Sequence, residues 1–327
     1  MASAGLIADV GGTNIRLGVV DYQSGEISHI IKYRCSEFPG IEDAIRTYLN
    51  EVDEKLQEAC IAIACPTGGD WIAMTNHSWA FSRSETKRNL GLESFNVIND
   101  FTANAMSIPT LTDKQKIQIG GGPADPMAPI SVYGPGTGLG VAHLINHQGR
   151  YIPISCEGGH ADFSPISELE VELLSFLKGR FGRVSNERIL SGPGLANIYE
   201  ALCHIHQQPV QQYQPADVSA KGLSGEDSVC RQALAMFCQM MGSFGGNLAL
   251  TLGAFGGVYI AGGVVGNFVD YFIASDFRNR FEEKGRFSRY CSKIPVYLIT
   301  AEQPGLQGAA AYLRQELGYH LGAKIAE

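Results

Sequence analysis

An apolar run over residues 6–8 and an alternation of apolar and polar residues over 15–20 predict two β-strands joined by the turn Gly11-Gly12-Thr13. The alternation returns over residues 27–33 and predicts a third strand. Helical spacing over residues 39–52 places six apolar side chains on one face, from Ile41 to Val52. Further along, apolar runs predict strands over 60–65 and 95–98, an edge-like segment over 71–81, and helices over 84–90 and 103–108. Strands that alternate with helices are typical of an α/β domain.

The strand–glycine–strand pattern begins again in the middle of the chain. Residues 130–133 and 141–145 read as strands on either side of the glycine turn at 134–140. Gly12-Thr13 and Gly136-Thr137 lie 124 residues apart, each pair between two strands. The spacing predicts an internal repeat of two related α/β halves, each with one glycine-rich hairpin.

Residues 232–269 contain no Asp, Glu, Lys or Arg, so this stretch is long enough to span a bilayer. It also contains nine glycines, which suit a single spanning helix poorly. The alternative is a buried helix over 229–252, a turn at Gly256-Gly257 and a strand over 258–261. The glycines favour this second interpretation, and we expect no membrane segment.

Composition narrows the class of protein further. The chain has 327 residues, 45% of them hydrophobic, with a net charge of −8, which excludes disorder and argues against a nucleic-acid partner. The amino terminus lacks the basic and apolar segments of a signal peptide. Eight cysteines without a C-x-x-C pair indicate reduced thiols in a cytoplasmic protein and no structural zinc.

The 39 glycines exceed the usual share of about 7%, and the two glycine loops suggest why. Glycine lets backbone N–H groups approach an anion without a side chain between them. Three better-known nucleotide motifs fail. The P-loop pattern is absent, a dinucleotide match from Gly134 has Leu139 at its sixth position, and the protein-kinase signatures are missing.

Two hairpin loops from two halves suggest a phosphate chain held from both sides. Arg16 is the one positive residue over 9–20, and residues 132–142 contain none. Backbone dipoles and a metal ion would therefore neutralise the phosphates, and Asp9, at the end of the first strand, is a candidate Mg²⁺ ligand, directly or through water. The alternative is that these glycines only form tight hairpins.

Three further motifs carry candidate sugar ligands. Asn99-Asp100 follows the strand over 95–98, where α/β sheets place ligands, and Asp100 is either a general base or the N-cap of the next helix. Glu157-Gly-Gly-His160 places a carboxylate and an imidazole on a glycine turn, or forms a polar surface loop. Glu187, before the turn Ser191-Gly-Pro-Gly194, is a third candidate or a solvated helix residue.

Taken together, these motifs resemble bacterial ATP-dependent glucokinase of the hexokinase-type, non-ROK family, over about residues 5–320. The motifs that carry the resemblance are Asp9-Val-Gly-Gly-Thr-Asn14, Asn99-Asp100-Phe-Thr-Ala103, Tyr133-Gly-Pro-Gly-Thr-Gly-Leu-Gly140, Glu157-Gly-Gly-His160, Glu187-Arg-Ile-Leu-Ser-Gly192 and Gly256-Gly-Val-Tyr-Ile-Ala-Gly-Gly263. Each motif alone is weak, whereas six in the family's order are strong. Ala8 and Cys156 depart from the family's glycines, which affects loop detail only.

The resemblance implies the actin-like ATPase (hexokinase/ribonuclease H-like) fold, with two α/β domains flanking a cleft. It places a small domain at 1–110 plus 301–327 and a large domain at 111–300. It also implies a homodimer that transfers the γ-phosphoryl of MgATP to the C6 hydroxyl of glucose at the entry to glycolysis. The segment Asn76-His-Ser-Trp79 also recurs in the family, as a possible substrate-edge element.

The resemblance also implies a role for each candidate. Asp100 would be the catalytic base, and Asp9 would hold Mg²⁺. The implied glucose ligands are Asn99, Asp100, Glu157, His160 and Glu187. The implied ATP contacts are Asp9, Val10, Gly11, Gly12, Thr13 and Thr137 at the phosphates, and Gly262 and Gly263 at the adenosine.

Other classes fit the sequence less well. A ROK-type sugar kinase carries a cysteine-rich zinc motif soon after its Glu-x-Gly-His, and here no cysteine follows His160 until Cys203. His204 and His206 lack a third ligand and read as surface residues beside the Gln-rich loop at 207–214. A sugar-responsive transcription regulator would need a DNA-binding module, and a dehydrogenase would need a helix after its glycine loop.

Overall fold

The computed structural model describes residues 3–321, which pack as two units. Unit 1 contains residues 3–115, 144–155 and 301–321, and unit 2 contains residues 116–143 and 156–300. The sequence predicted limits at 1–110 with 301–327 and at 111–300; of these, residues 1–2 and 322–327 lie outside the described residues. Residues 144–155 pack with unit 1 because Gln315 exchanges two hydrogen bonds with the backbone of Tyr151. The domain limits themselves stay a prediction.

The elements are numbered in chain order. The strands are β1 (Ala4–Val10), β2 (Asn14–Asp21), β3 (Ile27–Arg34), β4 (Glu58–Ile63), β5 (Trp71–Ala73), β6 (Ala80–Ser82), β7 (Ser94–Asn99), β8 (Lys116–Gln118), β9 (Ile130–Pro135), β10 (Leu139–His147), β11 (Arg150–Cys156), β12 (Gly257–Ile260) and β13 (Val296–Ile299). The helices are α1 (Ile41–Val52), α2 (Arg83–Leu90), α3 (Asp100–Ser107), α4 (Glu168–Phe181), α5 (Gly192–Ile205), α6 (Pro215–Ser224), α7 (Ser228–Leu252), α8 (Gly263–Gly266), α9 (Val269–Ala274), α10 (Phe277–Glu282), α11 (Ser288–Cys291) and α12 (Pro304–Glu316).

The sheet of unit 1 has the order β3-β2-β1-β4-β7. β1 and β2 form the predicted antiparallel hairpin, while β1, β4 and β7 run parallel. The register aligns Val10 with Ile63 and Ile63 with Asn99. The candidate residues that end β1 and β7 therefore lie at one edge of the sheet, two strands or roughly 10 Å apart. The edge-like segment at 71–81 forms a separate ribbon of β5 and β6.

Both faces of this sheet are buried. Leu6, Ala8 and Val10 of β1 pack in a core that includes the apolar face of α1. Ile7 faces the other side, where the core includes Ala103 of α3 and Leu306 of α12. A strand that is covered on both faces needs apolar residues at successive positions, which explains the continuous run from Leu6 to Ala8.

The second sheet repeats this arrangement with the order β11-β10-β9-β12-β13-β8. The hairpin strands β10 and β9 are followed by β12 and β13, which run parallel to β9, and β8 closes the edge antiparallel to β13. Hairpin strands followed by two parallel strands occur in the same spatial order in both sheets. The predicted internal repeat is confirmed at the level of sheet topology.

The uncharged stretch contains a buried helix, as predicted. α7 begins after the N-cap Asp227 and ends at Gly253. Within the described residues it is the one helix long and apolar enough to span a bilayer, but 72% of its most apolar window is buried in the fold. A Cβ on Gly242 would lie 2.2 Å from the carbonyl oxygen of Phe277 in α10. The glycine there allows two helices to approach closely, which is a packing role.

Two glycine-to-alanine substitutions in unit 2 test this role. We expect Gly242→Ala to lower the free energy of unfolding by about 1–3 kcal/mol, because the added methyl group overlaps a backbone atom that cannot turn aside. Gly179→Ala is the matched control, since Gly179 is an exposed position in α4 with open space around it. The control should raise the free energy of unfolding by roughly 0.5–1 kcal/mol. Thermal unfolding monitored by circular dichroism measures the free energy of unfolding of both variants. Changes of the same sign in the two variants would contradict the prediction.

Candidate active site

Asn99 is the last residue of β7 and Asp100 the first residue of α3, at the edge of the unit 1 sheet where β1 also ends. The N-cap of α3 is Asn99, whose Oδ1 accepts hydrogen bonds from the amides of Phe101 at 2.9 Å and Thr102 at 3.3 Å. The alternative that Asp100 is the cap is therefore wrong, because Asp100 is the first residue of the helix. Asn99 Nδ2 also donates to the Cys65 carbonyl at 3.4 Å. Since the cap occupies Oδ1 and one amide hydrogen is donated to Cys65, Asn99 can offer a ligand only its other amide hydrogen.

The carboxyl group of Asp100 is suited to accept a proton near neutral pH. Oδ1 accepts a hydrogen bond from the Phe101 amide at 3.0 Å. Burial raises the pKa of Asp100 to about 6; the Phe101 amide opposes this rise, and the negative charge of Asp9 adds to it. A base with a pKa close to the working pH combines ionisation with proton affinity.

Asp9 lies on β1 directly opposite Arg16 of β2, with 3.7 Å between Oδ2 and the guanidinium Nη1. Burial raises the pKa of Asp9, and Arg16 lowers it in part. Gly305, in the first turn of α12, has no side chain where a Cβ would lie 2.9 Å from the Asp9 Cγ. Gly305 could not be predicted from the sequence, because nothing in the local pattern shows that the start of α12 returns to β1.

The first glycine loop connects β1 and β2. Val10 is buried, Thr13 is exposed, and the Gly11 amide donates to the Asn14 carbonyl at 2.9 Å. A Cβ on Gly12 would lie 3.2 Å from the Cβ of Asn76. The segment Asn76-His-Ser-Trp79 therefore supports this loop, and the buried indole of Trp79 anchors it by donating to the Phe38 carbonyl at 3.2 Å.

In unit 2 the second glycine loop and the Gly262-Gly263 turn lie at the same end of the sheet. A Cβ on Gly134 would lie 1.9 Å from the Ala261 carbonyl oxygen, so only glycine permits this approach of β9 and β12. Gly262 has a φ of +93°, and a Cβ there would lie 2.5 Å from the Pro135 carbonyl oxygen. Thr137 is exposed at the loop tip. Gly262 therefore packs against the start of the second glycine loop, the loop whose tip carries Thr137.

His160 and Glu187 also lie close together in unit 2. A short 3₁₀ turn, Gly158–His160, follows the exposed Glu157, and His160 Nε2 lies 3.9 Å from Glu187 Oε2. Asn186 joins the two turns, since both its backbone amide and its side-chain amide donate to the Ala161 carbonyl at 2.9 Å. Asn186 is buried, and its role could not be predicted from the sequence because its partner is 25 residues away.

The sequence offered a solvated helix residue as the alternative for Glu187 and predicted a turn at Ser191-Gly-Pro-Gly194. The structure shows a different arrangement at both places. Glu187 lies in the 3₁₀ turn Asn186–Arg188, and its Oε2 accepts a hydrogen bond from the Leu139 amide at 2.9 Å. The segment Ser191-Gly-Pro-Gly194 begins α5, with Ser191 as the N-cap that accepts from the Gly194 amide. Proline in the first turn of a helix is well tolerated, which the turn interpretation overlooked.

Among residues 3–321, no three His, Cys, Asp or Glu side chains are grouped as a metal site. His206 Nε2 is hydrogen-bonded to Gln232 Oε1 at 2.8 Å. The eight cysteines are free thiols, seven of them buried.

Comparisons with known proteins identify the family of the chain. The profile of the family described as Glucokinase matches residues 6–316. The chain belongs to the glucokinase family. It is 56% identical to the glucokinase of Tolumonas auensis over 321 residues, which cover 98% of this chain and 100% of that protein. A crystal structure of glucokinase from an Antarctic psychrotroph is similar, with a TM-score of 0.89 and 35% identity over 96% of this chain and 100% of that one.

Glucokinase-family membership makes the chain an ATP-dependent sugar kinase with the actin-like ATPase fold. A ROK family glucokinase from Streptomyces griseus, solved with glucose and AMPPNP, has a TM-score of 0.64 and 20% identity over 95% of this chain and 99% of that one. At that identity the likeness shows the fold alone. The relation to ROK kinases is therefore one of architecture, while the family is that of the non-ROK enzymes predicted from the motifs.

Proposed function

We propose that the chain transfers the γ-phosphoryl group of MgATP to the C6 hydroxyl of D-glucose, with Asp100 as the general base. The observation that carries the proposal is the Asp100 carboxyl group, whose pKa burial raises to about 6 at the end of a parallel strand. Its ionised form accepts the hydroxyl proton as the sugar oxygen attacks the phosphorus. Phosphoryl transfer needs little other help from the protein than positioning and charge stabilisation.

The proposed glucose ligands are hydrogen-bonding side chains. In unit 1, Asn99 donates through its amide, and Asp100 accepts from the hydroxyl that reacts. In unit 2, Glu157 and Glu187 accept hydroxyl hydrogens, and His160 is a further ligand through its imidazole. A hydrogen bond to a charged group contributes roughly 1.5–3 kcal/mol, so carboxylates discriminate strongly between sugars that have and lack a hydroxyl.

The proposed ATP contacts in unit 1 are the residues from Val10 to Thr13, at the phosphates. In unit 2 they are Thr137, also at the phosphates, and Gly262 and Gly263, at the adenosine. The first loop has a single nearby arginine, Arg16, which already faces Asp9. Mg²⁺ usually binds one or two carboxylates together with substrate phosphates and water. Asp9 fits this requirement, since burial raises the pKa of its carboxyl group and a cation would stabilise the ionised form. Mg²⁺ held there would neutralise charge on the phosphates.

A panel of hexoses tests the proposed function. Purified protein with MgATP should form ADP with glucose, and ³¹P NMR of the product should show phosphate on C6. Galactose, mannose and 2-deoxyglucose report which hydroxyls the ligands recognise, and we expect loss of a hydroxyl that a carboxylate binds to lower kcat/KM by roughly ten- to a hundredfold. Absence of transfer to glucose, or a phosphate at another carbon, would overturn the proposal.

The raised pKa of Asp100 predicts an acid limb in the pH profile. Only the ionised carboxylate can accept the proton, so activity is present above the pKa and is lost as the pH falls through about 6. Below that pH, we expect log kcat/KM to fall with a slope of one per pH unit. Initial rates in a constant-ionic-strength buffer from pH 5 to 8, with the coupling enzymes in excess, measure the limb. A flat profile down to pH 5 would contradict this assignment.

We also propose that the protein works as a cytoplasmic homodimer, an expectation that rests on the family resemblance. The buried α7 and the free cysteines are compatible with a soluble protein in a reducing compartment. Sedimentation equilibrium over a range of protein concentrations would distinguish a dimer from a monomer of 35.3 kDa.

A further inference from the structure

The second glycine loop holds the side chain of a proposed sugar ligand. Glu187 Oε2 accepts the Leu139 amide at 2.9 Å and lies 3.9 Å from His160 Nε2. The backbone of Glu187 is fixed as well, because the Ser191 hydroxyl donates to its carbonyl at 2.8 Å. Oε2 is thus already hydrogen-bonded within the protein, and Oε1 is the oxygen left to accept a hydrogen bond from a ligand.

Gly138 provides the space for this contact. A Cβ on Gly138 would lie 2.5 Å from Glu187 Oε2 and 3.2 Å from its Cδ. The φ of Gly138 is outside the left-handed region, so the backbone itself does not require glycine there. At Gly136, two residues earlier, the φ is also ordinary and a Cβ would meet nothing within 4 Å. Of these two positions, only 138 must therefore be glycine to leave space for the Glu187 side chain.

The same loop is tied to the start of α5. The Gly192 amide donates to the Gly136 carbonyl at 2.8 Å, and Gly192 follows directly after Ser191, which holds the Glu187 backbone. Loop, 3₁₀ turn and helix start thus form one connected set of hydrogen bonds. A displacement of the loop at residues 138–139 would reach the Glu187 carboxylate directly through the Leu139 hydrogen bond.

We propose that Gly138 and the Leu139 amide are positioning residues for the sugar, acting through Glu187, although they belong to the loop assigned to the ATP phosphates. The inference deepens the proposed function and rests on it, since Glu187 is a glucose ligand there. Oε2 bound to the Leu139 amide orients the carboxylate so that Oε1 accepts a sugar hydroxyl. Glucose affinity in the absence of nucleotide therefore depends on this loop.

Glucose binding without nucleotide, measured by isothermal titration calorimetry, tests the inference. In Gly138→Ala the added methyl group would lie 2.5 Å from Oε2 and turns the carboxylate away, and we expect the Kd for glucose to rise about tenfold or more. Gly136→Ala is the matched control in the same loop and should keep the wild-type Kd. The atom that the Gly138→Ala methyl group displaces is the end of a flexible side chain, so both variants should unfold at the wild-type temperature, which a thermal melt checks.

A double-mutant cycle with Glu187→Ala separates this route from any other. If Gly138 acts through the Glu187 side chain, the substitution Gly138→Ala should have no further effect on glucose affinity once Glu187→Ala has been made. Independent, multiplicative losses in the double variant would overturn the inference, as would an unchanged Kd in Gly138→Ala alone. Either result leaves the proposed function standing. If the wild-type protein does not bind glucose, the proposed function fails first and the inference fails with it.

Discussion

We expect Asp100→Asn to lower kcat by roughly two to four orders of magnitude, the usual contribution of general base catalysis. Asparagine keeps the size and the hydrogen-bonding oxygen of aspartate, so the Phe101 amide retains its partner and α3 keeps the cap provided by Asn99. The amide cannot accept the hydroxyl proton, which is the one function removed. Glucose affinity, measured by calorimetry, should change far less than kcat.

The control for this experiment is Asp53→Asn. Asp53 is exposed and ends α1 in the left-handed conformation, which asparagine adopts readily. This variant should keep wild-type kcat, so a general effect of removing one negative charge from the chain would be visible. Should Asp100→Asn keep more than about a tenth of the wild-type kcat, another group must accept the proton.

The second large effect is expected from Asp9→Asn. A divalent cation is worth several kcal/mol of charge stabilisation in phosphoryl transfer, so its loss should lower kcat/KM for ATP by roughly two orders of magnitude or more. Glucose affinity should remain close to wild type. Rates measured over a range of Mg²⁺ concentrations should show that more Mg²⁺ is needed to reach half-maximal activity. An unchanged Mg²⁺ dependence would exclude Asp9 as the ligand.

Two companion measurements show whether Asp9 acts through its charge and its position. Gly305→Ala keeps the charge but places a methyl group 2.9 Å from the Asp9 Cγ, so a smaller loss with the same Mg²⁺ signature is expected. In Asp9→Asn, the pKa of Asp100 should fall, because the negative charge of Asp9 contributes to raising it. The acid limb of the residual activity should then move to lower pH, and a limb that stays in place would contradict the coupling of the two carboxyl groups.

Boundaries of several predicted elements shifted for local physical reasons. The helix expected over 103–108 begins at Asp100, because Asn99 caps it and adds a turn at its start. The strand expected over 60–65 is β4 at Glu58–Ile63, and the chain turns after it, where the Cys65 amide donates to the Ile63 carbonyl at 2.9 Å. Ser191-Gly-Pro-Gly194 begins a helix, since Ser191 caps it and Pro193 fits its first turn. In each case a cap or a backbone hydrogen bond outweighed the apolar pattern.

The sequence by itself determined the α/β class, the two hairpin loops, the repeat, the family and the residue types of the candidate site residues in each unit. These features depend on the local alternation of side chains and on short motifs, which the order of residues carries directly. Only the tertiary structure decided how those groups are supported. It placed Gly305 beneath Asp9 and joined the Leu139 amide to Glu187 across 48 positions. It also raised the pKa of Asp100 by burial, because burial and long-range hydrogen bonds arise from packing between segments distant in the chain.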